Sequence, residues 1–270
     1  MVVFPHAKIN LGLYILEKRS DGYHNLSSCL YPIPWCDILE IVKSNKTTFS
    51  TSGISIPGDE SENLCIYAYE LLRDDFDISE VSIHLHKIIP LGAGLGGGSS
   101  DGAFTLRCLN QLFGLNLSPE SLQKYAGKLG SDCSFFLYQQ PFLVSGKGDV
   151  IQEMSISMKN KSLVVVYPGI HVDTSAAYAS VMPKFKASNL NQILTDSSIN
   201  QWKNHLLNDF EELIFKKHAA LETVKNTLYQ KGAVYASMSG SGSAFYGIFE
   251  HPPDLSGVFP QEYTVWQSVL

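Results

Sequence analysis

Apolar residues fall at every second position along Lys8 to Glu17, with Ile9, Leu11, Leu13 and Ile15 on one face, the period of a half-buried β-strand. Ser20, Asp21 and Gly22 then supply turn chemistry. A strand from about Asp37 to Lys43 and a helix from about Glu62 to Arg73 follow. Val81 to Lys87 alternates again, with Val81, Ile83 and Leu85 on one face. After a glycine-rich stretch, Ala103, Leu106, Asn110 and Phe113 recur at helical spacing, which sets a helix N-terminus near Ser99 to Asp101. Ser118 and Pro119 predict a further helix, with serine as its cap and proline at its first position.

Beyond about Met158 the pattern changes. Leu163 to Tyr167 is a short continuous apolar run, the mark of a buried strand. Helical spacing covers Thr174 to Val181, Ile199 to Lys216 and Leu221 to Gln230, and two strands, Val234 to Met238 and Ala244 to Phe249, flank the segment Ser239 to Ser243. The polar stretch Met182 to Gln201 predicts a loop. Strands and helices in mixed, non-repeating order predict an α+β protein rather than an alternating parallel sheet, and 270 residues suit two modest domains.

Composition narrows the function classes. With 44% hydrophobic and 17% charged residues the chain is an ordinary globular protein, and a formal net charge of −6 gives no footprint for a nucleic-acid backbone. Five scattered cysteines with no C-x-x-C pair read as reduced thiols rather than a zinc or redox centre. No apolar run is long enough to span a bilayer, and Met1 to Leu16 lacks the basic and apolar regions of a signal peptide, so a cytoplasmic protein without membrane contact is expected. His84 and His86 share a strand face but lack a third ligand nearby, so they read as a solvated face and no protein metal site is expected.

The candidate chemistry concentrates in Pro90 to Asp101, where five glycines occur within the seven residues from Gly92 to Gly98. Glycines let backbone N–H groups approach phosphate oxygens, and the helix start behind them adds unpaired N–H groups and a positive dipole end. The spacing Gly92-x-Gly94-x-x-Gly97 formally matches a dinucleotide fingerprint, but no βαβ unit with an acidic strand end follows. A P-loop fails because Ser99 and Ser100 stand where lysine and a hydroxyl residue belong. Gly98 to Gly102 matches the G-x-S-x-G nucleophile elbow, which keeps a serine hydrolase using Ser100 as an alternative.

Taken together, Pro90 to Asp101 resembles the P-x-G-x-G-L-G-S/G-S-S/A loop of the GHMP kinase superfamily. Ala7 to Leu11, Arg19 to His24, Leu129 to Phe136 and Met238 to Gly242 are similar to the P-A-K-I-N-L, R-x-D-G-Y-H, L-G-A-D-V-P-F-F and closing glycine motifs of its diphosphocytidyl-methylerythritol kinases. His6 replaces a frequent proline, and Cys133 and Ser134 replace valine and proline; the resemblance is weaker beyond about Ser180. It implies a two-domain fold, with residues 1–157 an ATP-binding domain resembling ribosomal protein S5 domain 2 and residues 158–270 a ferredoxin-like substrate domain. ATP and acceptor would meet between them. The implied reaction moves the γ-phosphate of ATP to the 2-hydroxyl of 4-diphosphocytidyl-2-C-methyl-D-erythritol, a step of the non-mevalonate isoprenoid pathway.

The resemblance also implies residue roles. Lys8 and Asp132 become the catalytic pair, where residue spacing alone reads them as an exposed strand lysine and a cap of the segment Cys133 to Leu137. Pro90, Leu91, Gly92, Ala93, Gly94, Leu95, Gly96, Gly97, Gly98, Ser99 and Ser100 would hold the nucleotide with Asn63 and Lys87 nearby, and Ser99 would reach a Mg²⁺ carried by the nucleotide. Asn10, Tyr23, His24, Thr174 and Tyr178 would contact the acceptor, His24 reading the cytosine edge and the tyrosines stacking on it; a plain hairpin end accounts for Tyr23 and His24 equally. The expected partner is this small molecule, with the chain a monomer or weak homodimer. The alternatives are a GHMP kinase acting on homoserine, mevalonate or a sugar, and a non-catalytic nucleotide- or RNA-binding protein.

Overall fold

Strands and helices do alternate irregularly in the computed structural model, which describes residues 1–183 and 190–270. The first half runs β1 (Val2–Val3), β2 (His6–Lys18), β3 (His24–Cys36), β4 (Ile38–Lys43), β5 (Thr48–Gly53), α1 (Leu64–Asp75), β6 (Val81–Lys87), α2 (Gly97–Phe113), α3 (Pro119–Leu129), β7 (Phe142–Ser145) and β8 (Val150–Glu153). The second runs β9 (Ser162–Tyr167), α4 (Thr174–Ser180), α5 (Leu190–Asp196), α6 (Trp202–His205), α7 (Glu211–Lys217), α8 (Ala219–Gln230), β10 (Tyr235–Met238), β11 (Phe245–Phe249) and β12 (Thr264–Val269). Two compact units result: Met1–Ala7 with Trp35–Leu91 and Gly96–Gln139, and Lys8–Pro34 with Gly92–Leu95 and Gln140–Leu270.

In the first unit the sheet order is β1-β4-β6-β5, with β5 parallel to β6 and the other pairs antiparallel. Leu39, Ile41, Val81, Ile83 and Leu85 are fully buried, and α2 packs against β4 while α1, α2 and α3 pack on one another. The Ser118 hydroxyl accepts from Ser121 N at 3.2 Å and Pro119 opens α3, as the serine-proline pair predicts.

In the second unit one antiparallel sheet has the order β10-β11-β9-β12, with α8 packed on β10 and β11, and another has the order β2-β3-β7-β8. Leu163 to Val166 on β9 are all fully buried, as their uninterrupted apolar run requires. The half-buried reading of β2 needs correction: Lys8 to Ile15 is buried on both faces, so its polar residues are interior groups.

The helix expected over Ile199 to Lys216 is also broken. Between α6 and α7 the chain turns to meet β2: Leu13 N donates to Leu207 O at 2.8 Å, Asp209 N donates to Leu13 O at 2.9 Å, and Ile15 N donates to the Asp209 carboxylate at 2.8 Å. A continuous helix would forfeit all three bonds. Part of the loop expected over Met182 to Gln201 is helical, namely α5 and a 3₁₀ turn at Ile199–Gln201, while residues 184–189 lie outside the described residues. Among the described residues no helix is long and apolar enough to cross a membrane.

Candidate active site

β2 carries Lys8 and Asn10 two residues apart, hence on one face. Both are buried, and the Lys8 ammonium donates to Asn10 Oδ1 at 2.5 Å. Asn10 Nδ2 donates to Ser28 Oγ at 2.8 Å, Ser28 donates to Gly12 O at 2.6 Å, and Tyr246 donates to Asn10 O at 2.7 Å. The asparagine is thereby fixed, and it fixes the lysine in turn. An ammonium preorganised this way is suited to an oxygen on which negative charge develops.

The turn between β10 and β11 closes on the same place. Ser239 Oγ donates to Gly94 O at 2.8 Å, and a Cβ on Gly240 would stand 3.5 Å from Lys8 Nζ. Gly94 has φ +79° and a Cβ there would lie 2.0 Å from Ser239 O, so only glycine fits. Backbone bonds fasten its neighbours: Lys8 N donates to Leu95 O at 2.9 Å and Ala244 N to Ala93 O at 3.0 Å. Asn208, from the break between α6 and α7, donates to Met238 O at 2.9 Å and Gly240 O at 2.8 Å. No sequence signal marks Asn208, because it lies inside a stretch of helical periodicity.

Within the first unit the remaining glycines open α2. Gly96 caps the helix with φ +72° and no side chain bonds its first turn, so N–H groups of Gly97, Gly98 and Ser99 face outward from a dipole end. Gly98 is exposed and a Cβ there would meet nothing within 4 Å, whereas one on Gly97 would lie 2.9 Å from Lys87 Nζ. Pro90 is buried, and Leu91 and Ser99 are partly exposed. Ser100 is fully buried and its hydroxyl has no partner among the described residues. A hydrolase nucleophile must reach solvent and a base, so that alternative fails.

Lys87 lies beneath this helix start rather than at the surface. Its ammonium bonds Asp37 at 2.5 Å and Asp101 at 2.6 Å, with the lysine side chain and Asp37 completely buried and Asp101 nearly so. Asp37 also accepts from Ile88 N at 2.5 Å and Ile89 N at 2.8 Å. Burial pushes Asp101 up to about 8 against the pull of Lys87, with Asp37 adding to the rise, and one of its oxygens has no partner among the described residues. Burial alone would lower the lysine's pKa; the two carboxylates outweigh it and move it up. One ammonium between two carboxyls, one of them readily protonated, approaches neutrality. Asn63 has a structural task as well, its Oδ1 accepting from Cys65 N at 2.9 Å as the cap of α1.

Asp132 is partly exposed in the turn before a 3₁₀ segment, Phe135–Leu137, which starts from Ser134, so the aspartate is not its cap. The Cys133 thiol hydrogen-bonds the Ser99 hydroxyl, and burial holds that thiol up at about 12. The turn carrying Asp132 is thereby tied to the first turn of α2. His84 bonds Ser50 and Ser52, and His86 bonds Ser52.

The residues expected to hold a flat base divide. In the second unit His24 is buried and its ring lies 5.6 Å from that of Tyr178, which in turn packs edge-on against Phe210 at 4.9 Å. Burial, assisted by the Lys18 charge, keeps the His24 imidazole below its ordinary pKa and hence neutral at pH 7. Thr174, one turn before Tyr178 on α4, bonds Ser241 at 2.9 Å, which links α4 to the β10–β11 turn. Tyr23 is not part of this cluster: it is 60% exposed and its ring lies 5.2 Å from the Lys147 ammonium.

The chain is similar to known proteins over most of its length. The model of the GHMP kinase N-terminal domain matches residues 63–140 and that of the GHMP kinase C-terminal domain residues 181–259. The chain is 47% identical, over 94% of both chains, to the 4-diphosphocytidyl-2-C-methyl-D-erythritol kinase of Cytophaga hutchinsonii. It is 40% identical, over the full length of both, to that of Porphyromonas gingivalis. A crystal structure of 4-(cytidine 5'-diphospho)-2C-methyl-D-erythritol kinase superposes with a TM-score of 0.81 at 32% identity, covering 93% of this chain and 91% of the other. A homoserine kinase structure from C. hutchinsonii, at 17% identity and a TM-score of 0.67 over 97% and 94% of the chains, shares the fold.

Proposed function

Since the chain belongs to the 4-diphosphocytidyl-2-C-methyl-D-erythritol kinases, a family of GHMP kinases, we propose that Lys8 and Asp132 serve the phosphoryl transfer that defines the family. The enzyme moves the γ-phosphoryl group of ATP to the 2-hydroxyl of 4-diphosphocytidyl-2-C-methyl-D-erythritol in isoprenoid precursor synthesis. The observation that carries the residue assignment is the buried Lys8, locked by Asn10 beside the Gly94 and Ser239 turn.

Phosphoryl transfer asks the protein for alignment and charge stabilisation more than for covalent chemistry. The backbone of Gly94 to Ser100 and the N–H groups opening α2 hold the ATP phosphates, with Pro90 to Ala93 shaping the approach. Asp132 takes the proton from the acceptor hydroxyl, and the Lys8 ammonium stabilises the oxygen that attacks. Lys87 acts from below, setting the helix start through Asp101, and Asn63 sets the start of α1. Ser99 would reach a Mg²⁺ carried by the nucleotide, which would supply neutralisation of the phosphate charge; among the described residues no group of three His, Cys, Asp or Glu side chains could hold a metal ion. The two family matches fall on either side of residue 157, while the compact units interleave across it, with Lys8–Pro34 and Gly92–Leu95 in the same unit as Gln140–Leu270. The same reading places the enzyme in the cytoplasm as a monomer or weak homodimer.

Two expected outcomes test the binding assignments. Gly98→Ala, whose added methyl meets no protein atom, should keep the wild-type Tm yet raise KM for ATP, because the methyl enters the space assigned to phosphate; an unchanged KM would move the nucleotide elsewhere. The acceptor pocket is tested by His24→Ala, assayed by ADP release. Loss of one base-edge hydrogen bond predicts a rise in acceptor KM of about 10- to 100-fold, with kcat little changed. The lowered pKa of His24 further predicts an acceptor KM that is flat from pH 7 upward and changes only in acid, as the ring gains its proton. An acceptor KM indifferent to His24 would remove it from the pocket.

A further inference from the structure

α2 presents a second, chemically distinct feature on the first unit. A cavity of about 230 Å³ is lined by Val3, Phe104, Arg107, Cys108, Asn110, Gln111 and Leu122. Arg107 stands nine residues beyond Gly98, which places it roughly 13 Å along the helix from the N–H groups assigned to ATP. The guanidinium lies over the Phe104 ring with its central carbon 4.8 Å from the centroid, a cation–π contact that uses the face of the group and no hydrogen bond. Nη1 is buried and has no hydrogen-bond partner among the described residues.

No ion pair to Arg107 occurs among the described residues, and burial holds the guanidinium below the usual arginine pKa with no carboxylate offsetting it. Its titratable neighbours include the Cys108 thiol on the cavity wall, which burial pushes up to about 11, and His6, whose ring packs edge-on against the same Phe104 at 5.5 Å; burial lowers the His6 pKa and Arg107 lowers it further. Asn110 is already committed to the Leu117 backbone through both ends of its amide. The cavity therefore holds a partly exposed cation with one buried N–H group, Nη1, that lacks an acceptor among the described residues, apolar walls at Val3 and Leu122, and an exposed amide, Gln111, at its rim. Leaving a charged donor unmatched costs more than leaving a neutral one unmatched, and an anion restores the match.

We propose that this cavity binds a small ligand with a carboxylate or phosphate head seated on the Arg107 fork and a compact apolar body against Val3 and Leu122. The volume lies below the roughly 300–1,000 Å³ of pockets that enclose drug-sized ligands, so a nucleotide does not fit. The site is separate from the α2 N–H groups assigned to ATP.

The test is an amide NMR titration of the full chain with saturating Mg-ADP, which occupies the glycine loop. Inorganic phosphate and acetate are the probes in separate arms, with chloride at matched ionic strength as control. Saturable shifts at Asn110, Gln111 and Leu122 with one probe, weakened at least tenfold in Arg107→Gln, support the site, and the arm that saturates first identifies the head group. Shifts that never saturate, that chloride reproduces, or that persist in Arg107→Gln overturn it. Should Arg107→Gln fail to fold, Gln111→Trp blocks the rim while keeping the charge; unchanged probe affinity there also overturns the proposal.

Discussion

Replacing Asp132 with asparagine is expected to lower kcat by about 10²–10⁴-fold, the range that a positioned proton acceptor contributes, while Tm and the KM for ATP stay near their wild-type values. Asparagine matches the shape of aspartate, and Asp132 caps no helix and sits partly exposed, so the fold has little to lose. The Cys133 bond to Ser99 continues to hold the turn in place. Lys8 requires the complementary control, because it is buried and bonded to Asn10: Lys8→Met removes the cation and also frees an amide. Near-wild-type turnover in Asp132→Asn would remove the aspartate from proton transfer and leave Lys8 as the principal catalytic group.

Lys87→Met is expected to destabilise the enzyme by about 3–5 kcal/mol, the cost of leaving buried charge unpaired, or roughly 6–20 °C in apparent Tm. Two carboxyls, Asp37 and Asp101, would face each other without the ammonium. Asp101→Asn should be far milder, because a carboxyl held up at about 8 is mostly protonated at pH 7 and the amide replaces a neutral group. The raised pKa also fixes a pH dependence. Folding favours the protonated carboxyl, so its contribution to stability is complete below the ordinary aspartate range and is lost as pH rises through about 8. Asp101→Asn should therefore gain on the wild type between pH 6 and pH 9, a window in which the raised Lys87 pKa keeps the ammonium charged. A Lys87→Met enzyme with unchanged Tm and a raised KM for ATP would instead make Lys87 a direct nucleotide ligand.

The sequence exposed the local signals and hid the long-range ones. Val81 to Lys87 and Ser118 with Pro119 could be placed because alternation and capping are written in adjacent residues. The same alternation that put Val81, Ile83 and Leu85 on the buried face also puts Lys87 there, a usable sign that this lysine is not a surface group. Its partners could not be read: Asp37 and Asp101 lie 50 and 14 residues away, and only the fold brings them together. Lys8 and Asn10 were legible through motif resemblance, but their burial was not, since a strand covered on both faces looks half-polar when its polar residues serve a site. The break at Asn208 was invisible for a related reason. Helical periodicity continues across it, and tertiary bonds to β2 and to the Ser239 turn prevail over it.

Selectivity for a cytidine-bearing acceptor, alongside a GHMP phosphate loop, is the expected property of this chain. It is tested most directly by ADP release from Mg-ATP with purified enzyme, comparing 4-diphosphocytidyl-2-C-methyl-D-erythritol with the same polyol phosphate lacking cytidine, and with homoserine and mevalonate. Turnover confined to the cytidine compound is the predicted result. Equal turnover without cytidine, or turnover only with homoserine or mevalonate, would contradict it.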